Sequence, residues 1–250
     1  MKIHLVSDLH LEFAHIDLPG VDRDVLVVAG DLSSFAEKGK AIDFFNREFE
    51  KTPGLHIVFV PGNHEYYHGE LRLVDEYWRR VSDDRPNFHF LNPGEVWIPD
   101  GKERMVQFTG ACLWTAMDED QKQMAKRYMT DYRLTKDLHP EAVHGIHKLH
   151  RSFIEKHALP GQVVVTHHSP SFDCVHDKYA GDFMNFAFHN DMDATVKKVD
   201  AAYWFFGHTH DTMDVQIGNT EVTCNPRGYS HGPEWPNENV NFKYDLVFEV

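Results

Sequence analysis

The chain has 250 residues, 42% of them hydrophobic, and a formal net charge of −14. The length favours one large domain, and the hydrophobic content suffices for a core but is too low for a membrane protein. No apolar run reaches the roughly 18 residues that a membrane span needs. The negative net charge argues against a general nucleic-acid-binding surface, although it does not argue against binding of short or single-stranded ends of nucleic acids.

Cysteine and histidine usage gives two further expectations. The three cysteines are far apart and form no C-x-x-C motif, and an acid appears as early as Asp8, which is unlike a secretory signal. We therefore expect a cytoplasmic protein with reduced thiols. Histidine, present 19 times, is the commonest metal ligand, which hints at metal binding.

The first third of the chain alternates between strand and helix patterns. Apolar runs predict strands at residues 2–7, 24–29 and 57–60, and the last of these breaks at Pro61-Gly62. Apolar residues at helical spacing predict helices at 37–50 and 71–81. Residues 87–110 differ, because short apolar runs split by tight-turn residues favour antiparallel strands.

The rest of the chain predicts a helical segment, a long loop and a strand-rich tail. Residues 112–160 are interpreted as a helical lid or insertion, with one helix at about 139–157. Strands are predicted at 163–166 and 201–206, and residues 172–189 are a candidate substrate-binding loop. A short helix at 191–199, further strands after 214, and turns at 218–219 and 225–236 complete the prediction.

These elements predict an α/β (α+β) fold. The expected architecture is a four-layer α/β/β/α sandwich of two mixed sheets, in a single domain over residues 1–250.

Five predicted strands end in metal-ligand residues, and this repetition is the main functional signal. The residues are Asp8 and His10, Asp31, Asn63 and His64, His167, and His208 and His210. Open α/β sheets place their chemistry at the carboxyl ends of strands. Residues i and i+2 share a face of an extended chain, so each D-x-H or H-x-H pair could present both ligands to one place.

The donor atoms indicate a two-metal site. Carboxylate, amide and imidazole ligands without thiolate suit Mn, Fe, Zn, Co or Ni better than Ca. Without His64, seven ligand candidates remain. They are too many for one tetrahedral ion, but they fit two ions that share a carboxylate at the roughly 3.5–4 Å spacing of two-metal hydrolases.

The motif series resembles the calcineurin-like metallophosphoesterase superfamily. Its pattern D-x-H, G-D, G-N-H-E, H-x-x-P and G-H-x-H is found, in family order, as Asp8-Leu9-His10, Gly30-Asp31, Gly62-Asn63-His64-Glu65, His167-His168-Ser169-Pro170 and Gly207-His208-Thr209-His210. Three further stretches resemble a bacterial and phage branch of unassigned substrate, namely 113–115, 131–133 and 224–229.

The resemblance implies a role for each ligand. Asp8, His10 and His210 would hold one metal, and Asn63, His167 and His208 the other. Asp31 would bridge the two ions, for which manganese is favoured, and His64 would be the general acid or a phosphate donor. The segment 30–35 lacks the second Asp and the Arg of the protein-phosphatase branch, which argues against that activity.

The expected reaction is hydrolysis of a small phosphodiester or phosphomonoester by in-line attack of a metal-bridging hydroxide. A nuclease of the same superfamily and a non-catalytic scaffold are the alternatives. The sequence does not predict the oligomeric state.

Several residues have a structural alternative beside the functional one. Arg227 and Tyr229 could bind phosphate or could pack and cap a turn, and His168 could contact substrate or support His167. Asp131 and Arg133 are interpreted as a lid ion pair or turn. Glu65 is interpreted as a structural residue. The histidines of the predicted helix at 139–157 are interpreted as a solvated face.

Overall fold

The computed structural model describes residues 1–232 and 236–250, which form eleven strands and six α-helices. The strands are β1 (Lys2–Val6), β2 (Val25–Ala29), β3 (His56–Val60), β4 (Phe88–Phe90), β5 (Gly94–Pro99), β6 (Met105–Ala111), β7 (Val163–Thr166), β8 (Tyr203–Phe206), β9 (Asp214–Ile217), β10 (Thr220–Cys224) and β11 (Val247–Glu249). The helices are α1 (Lys38–Lys51), α2 (Leu71–Asp83), α3 (Glu119–Tyr128), α4 (Asp131–Leu134), α5 (Pro140–His157) and α6 (Asp193–Val199).

The strands form two mixed sheets. The first has the order β11-β1-β2-β3-β4, with β1 to β4 parallel and β11 antiparallel at the edge. The second has the order β5-β6-β7-β8-β10-β9, with parallel pairing in its centre and antiparallel pairs at both edges. Parallel central strands place the ends of β1, β2 and β3 at one edge, and those of β7 and β8 at the corresponding edge of the other sheet.

Side-chain alternation along the strands gives three apolar layers. Val27, Val58 and Val60 of the first sheet pack with Phe108 and Val165 of the second, which forms the core between the sheets. The opposite face of the first sheet packs on α1 and α2, and that of the second packs on α5 and α6. The predicted four-layer α/β/β/α sandwich is therefore confirmed.

The region 87–110 corrects the sequence prediction in part. Strands β5 and β6 are antiparallel as expected, but β4 pairs in parallel with β3 and belongs to the other sheet. The turn residues between β4 and β5 mark the point where the chain crosses from one sheet to the other. A strand of three residues carries too little pattern to reveal its partner.

The buried face of α5 also differs from the prediction. His147 and His150 are 3% and 4% exposed, whereas Leu149 is 69% exposed. The two histidines are buried because the irregular segment before α3 crosses them. The main-chain N–H of Leu113 donates to His150 Nδ1 at 3.2 Å. The solvated-face interpretation is therefore wrong for His147 and His150.

The predicted turn at 225–236 lies partly outside the described residues. Elsewhere, the predicted hairpin turn at 218–219 joins β9 and β10. In the described part of the chain, no helix combines the length and apolar character needed to cross a membrane. A single domain with a lid at about 112–160 stays a prediction.

Candidate metal centre

The structure brings the ligand residues predicted from the five strand ends into two adjoining clusters. Each cluster has its donor atoms within 4.8 Å of one another. The first cluster contains Asp8, His10, Asp31 and His210, and the second contains Asp31, His167 and His208. Asp31 is common to both, which is the geometry expected of a bridging carboxylate.

In the first cluster, ring nitrogens point at each other. His10 Nε2 lies 2.9 Å from His210 Nε2, and His210 Nε2 lies 3.6 Å from Asp8 Oδ1. His10 Nε2 is also 3.8 Å from Asp31 Oδ2. Four donor atoms converging on one point, three of them on buried side chains, fit a cation between them.

In the second cluster, His167 Nε2 lies 3.4 Å from Asp31 Oδ1 and 3.1 Å from Asn63 Oδ1. Asn63 therefore joins this cluster as an amide-oxygen donor. His208 Nε2 is buried and has no hydrogen-bond partner among the described residues. A buried imidazole nitrogen without a partner is costly, and a metal ion would satisfy it. The residues present thus fit a pair of ions.

The ligand loops owe their shape to left-handed backbone conformations. Asp8, His10, Asp31, His208 and His210 have φ values of 51°, 45°, 51°, 71° and 53°. These values are unfavourable for residues with a Cβ and cluster at functional sites. The chain is therefore not extended at these pairs, and the i, i+2 argument from strand alternation is wrong. The side chains converge because the backbone turns sharply at each ligand.

Two glycines make this convergence possible. A Cβ on Gly62 would lie 2.1 Å from Asp31 Oδ1, and one on Gly207 would lie 2.7 Å from Asp8 Oδ2. Any side chain at either position would push a ligand carboxylate out of place. Glycine at positions 62 and 207 is therefore a steric requirement of the site.

A second set of groups orients the imidazole rings. His10 Nδ1 donates to Glu12 at 3.2 Å, His210 Nδ1 donates to Glu238 at 2.7 Å, and His167 Nδ1 donates to the Ala29 carbonyl at 2.9 Å. Each bond fixes the proton on Nδ1 and leaves Nε2 free as a ligand.

Sequence reasoning missed both glutamates. Glu12 follows His10 by two residues, which is a local signal that could have found it. Glu238 lies 28 residues after His210, so only the fold pairs them.

Glu65 stabilises the loop that carries Asp31. Its carboxylate accepts hydrogen bonds from the main-chain N–H groups of Asp31, Leu32, Ser33 and Gly62 at 2.5–3.0 Å. Burial and the neighbouring charge of Asp31 raise the pKa of Glu65. Bound dications would oppose that rise. The structural interpretation of Glu65 thus agrees with its contacts.

Comparison with known proteins decides the family. The sequence model of the calcineurin-like phosphoesterases matches residues 1–212. This chain belongs to the calcineurin-like phosphoesterase family. The phosphoesterase is accordingly a metal-dependent hydrolase of phosphate esters, which agrees with the clusters of His and Asp ligands.

Relatives share the fold at low sequence identity. The chain is 26% identical to "Uncharacterized protein L509" of Acanthamoeba polyphaga mimivirus, over 92% of this chain and 91% of that protein. Phosphopantetheinyl hydrolase (PptH) from Mycobacterium tuberculosis is 17% identical with a TM-score of 0.67, covering 91% and 89% of the two chains. A Thermus thermophilus protein, TT1561, is 13% identical with a TM-score of 0.56, covering 90% and 88%.

His64 stands beside both clusters of the phosphoesterase. Its Nδ1 donates to Glu12 at 2.7 Å, and its Nε2 lies 3.9 Å from Asp31 Oδ2. Burial disfavours the charged ring, but Asp31 and Glu12 outweigh burial and raise the pKa of His64 to about 9. Burial raises the pKa of Glu12, but hydrogen bonds from His10 and His64 outweigh burial and lower it to about 2. The pair therefore favours a protonated His64 next to an ionised Glu12.

A pocket of about 420 Å³ opens over the metal centre of the phosphoesterase. Its floor includes Asp31, Asn63, His64, His208 and His210. Two wall segments, residues 128–131 and 176–189, contribute most of its sides. The loop at 172–189, expected from the sequence to bind substrate, thus faces the site.

The three residues singled out for possible substrate contact lie in different places. Tyr229 lines the pocket, and its hydroxyl is 3.4 Å from His64 Nε2. The Arg227 guanidinium donates to the carbonyls of Leu9 and Ala14 at 3.1 and 3.0 Å, which favours the packing alternative. His168 is buried behind His208, with ring centroids 4.2 Å apart, which favours a supporting role.

Asp131 and Arg133 also lie in different environments. Asp131 is buried, lines the pocket and contacts Asn63, whereas Arg133 is exposed and donates to Thr130. Within the described residues the two do not form the ion pair considered from the sequence.

Proposed function

We propose that this protein hydrolyses a phosphodiester or phosphomonoester by in-line displacement at phosphorus, using two divalent transition-metal ions. The observation that carries the proposal is the sharing of one buried carboxylate, Asp31, by two ligand clusters with His64 next to them. Two-metal hydrolases use this arrangement to hold the attacking and leaving oxygens together.

Each proposed ligand has its free donor atom directed at a cluster. Asp8, His10 and His210 would hold one ion, and Asn63, His167 and His208 the other, with Asp31 between them. When bound, the two ions supply Lewis acidity and lower the pKa of water. The combination of oxygen and imidazole nitrogen donors suits Mn, Fe, Zn, Co or Ni, and manganese stays the favoured metal from the family resemblance.

His64 is proposed as the proton donor to the leaving oxygen. Glu12 accepts from Nδ1, so the Nε2 proton points into the pocket toward Asp31 and Tyr229. A proton on Nε2 at this position can pass to an alkoxide as the phosphorus–oxygen bond breaks. Glu12 holds the ring in the orientation that this transfer needs.

A cytoplasmic location is proposed with the function. Cys112, Cys174 and Cys224 are all buried free thiols, which suits a reducing compartment.

The test combines metal analysis with hydrolysis assays. Purified protein is expected to contain two equivalents of transition metal and to hydrolyse para-nitrophenyl phosphate or its bis ester in a chelator-sensitive manner. His208→Ala should lose metal and turnover, whereas His15→Ala, a change at an exposed histidine, should retain both. Metal-free protein that stays inactive after addition of manganese, zinc or iron would overturn the proposal.

A further inference from the structure

From the composition of the pocket walls, we infer that the substrate carries a single phosphate on an uncharged or cationic organic group with an apolar or aromatic part. This inference rests on the proposed function and narrows its substrate class. It excludes nucleoside polyphosphates and polynucleotides as the preferred substrates.

Aromatic side chains surround the mouth of the pocket. Tyr128, Tyr179 and Tyr229 line it and are exposed. Two further exposed rings extend this rim, because Phe183 lies 5.8 Å from Tyr128 and Phe13 lies 5.3 Å from Tyr229. Exposed aromatic clusters of this kind mark ligand-binding surfaces, since a rigid ring offers large contact area at low entropic cost.

Deeper in the pocket, Phe188 and Tyr67 continue the apolar surface. Phe188 stacks on His208 with ring centroids 4.8 Å apart, and Tyr67 lies 4.2 Å from the ring of His64. An organic group attached to a phosphate at the metal centre would therefore meet aromatic faces from its first atoms to the pocket mouth.

The charged residues of the walls are all acidic. Of the described residues that line the pocket, none is Lys or Arg, whereas Asp131, Asp182, Asp211 and Glu238 are present beyond the predicted ligands. The charge of two divalent ions would exceed the negative charge of their ligands Asp8 and Asp31. The remaining positive charge would attract one phosphate. A second phosphate would face these carboxylates and would be repelled by those that are not paired with a cation.

Nearby cations offset the charge of one of these wall carboxylates, Asp211. Lys178 Nζ is 2.8 Å from Asp211 Oδ1, so its charge is already paired, and it lies over the ring of Tyr179. Arg127 lies over the ring of Tyr128 and does not line the pocket. Among the described residues, neither Asp131 nor Asp182 has a cation within salt-bridge distance. Asp131 is buried and Asp182 is exposed, so Asp182 is the exposed wall carboxylate without a paired cation.

The experiment compares two aryl phosphates that differ by one charge. They are 3-carbamoylphenyl phosphate and 3-carboxyphenyl phosphate, which have nearly the same shape and the same scissile bond. The manganese-loaded enzyme is expected to show a kcat/KM about tenfold higher for the carbamoyl compound, because the carboxylate is repelled by the walls. ADP and ATP are expected to be poorer substrates than phenyl phosphate.

Three variants locate the effect. Asp182→Asn should reduce the discrimination to less than about threefold, because it removes the uncompensated charge. Asp177→Asn is the matched control, since Asp177 is exposed in the same loop but does not line the pocket, and it should leave the discrimination unchanged. Tyr128→Ala should lower kcat/KM for phenyl phosphate more than for methyl phosphate, without loss of metal.

Each outcome has a distinct meaning. Equal turnover of the two aryl phosphates, or faster turnover of 3-carboxyphenyl phosphate or ATP, would overturn this inference while the hydrolase function stands. Absence of chelator-sensitive hydrolysis of every ester, with metal present, would instead overturn the proposed function.

Discussion

Hydrogen bonds of Asp31 and Glu65 connect the loop after β2 to the loop after β3. The main-chain N–H of Asp31 donates to Glu65 Oε2 at 2.9 Å, and Asp31 Oδ1 accepts from the main-chain N–H of His64 at 2.8 Å. The Glu65 carboxylate thus holds the backbone of the loop that carries Asp31, while the Asp31 carboxylate holds the backbone at His64. The position of the shared ligand depends on this reciprocal bonding.

Replacement of Glu65 by Gln is expected to loosen the bridging loop. The amide keeps one acceptor oxygen, so two of the four N–H donors lose their partner, at a cost on the order of 1–3 kcal/mol in stability. Weaker metal binding should accompany this loss. Urea unfolding and metal content after dialysis measure the two effects. Glu50→Gln, at an exposed position, is the control, and wild-type behaviour of the Glu65 variant would contradict the role.

Replacement of Asp31 by Asn tests the bridging role directly. The neutral amide removes the charge common to both clusters, so both ions should bind more weakly, and turnover should fall by about 100-fold or more. Mass-spectrometric metal analysis and ester hydrolysis check this. Asp43→Asn, at an exposed helix position, should change neither. Two tightly bound ions in the Asp31 variant would count against a shared ligand.

Replacement of His64 by Ala tests proton donation. The metals should stay bound, while alkyl esters, whose leaving groups need a proton, should slow by about 10²–10⁴-fold and nitrophenyl esters much less. The dependence of kcat on leaving-group pKa is the measurement. Glu12→Gln should steepen the same dependence to a smaller degree, because the ring loses its orienting acceptor. A uniform loss across all esters would indicate phosphate positioning instead.

His4 makes stability depend on pH. Its Nδ1 accepts from Arg23 at 2.8 Å, and burial together with the Arg23 charge lowers the pKa of His4 to about 4. A histidine in the unfolded chain has a pKa near 6.5. Between pH 6.5 and pH 4 the unfolded chain therefore binds more protons than the folded protein, so a lower pH favours unfolding. Stability should therefore fall as pH decreases from about 6.5 to about 4, by about 3 kcal/mol from this residue.

Urea unfolding at pH 7.5 and 4.5 checks this, with His4→Gln as the comparison. Both proteins keep the same metal site, so the difference between their pH dependences isolates His4. Other histidines with lowered pKa values, such as the half-buried His89 and the buried His150, should leave part of the dependence in the variant. Identical pH dependence in the two proteins would refute the assignment.

Local sequence patterns predicted most of the fold and the residues that form the two clusters. Each ligand group follows an apolar run within a few residues, as Asn63 follows Val60, so one short segment of sequence indicates both the strand and the polar residues at its end. The left-handed turns at Asp8 and His208 were not predictable, because residue type alone does not specify φ. Glu238 was missed because its contact with His210 depends on the tertiary fold. The buried histidines of α5 were missed because their hydrogen-bond partners come from the crossing segment at 112–117.

The two wall segments of the pocket carry none of the proposed metal ligands. Residues 128–131 and 176–189 are separate from the five strand ends along the chain, although Asp131 contacts Asn63 and Phe188 stacks on His208. The strand ends are held by other residues, Glu12, Glu65 and Glu238. Diversification of the accepted alcohol can therefore proceed by exchange of wall residues while the hydrolytic machinery is inherited intact. For enzyme engineering, these two segments are the natural targets for a library that seeks new esters without a new reaction.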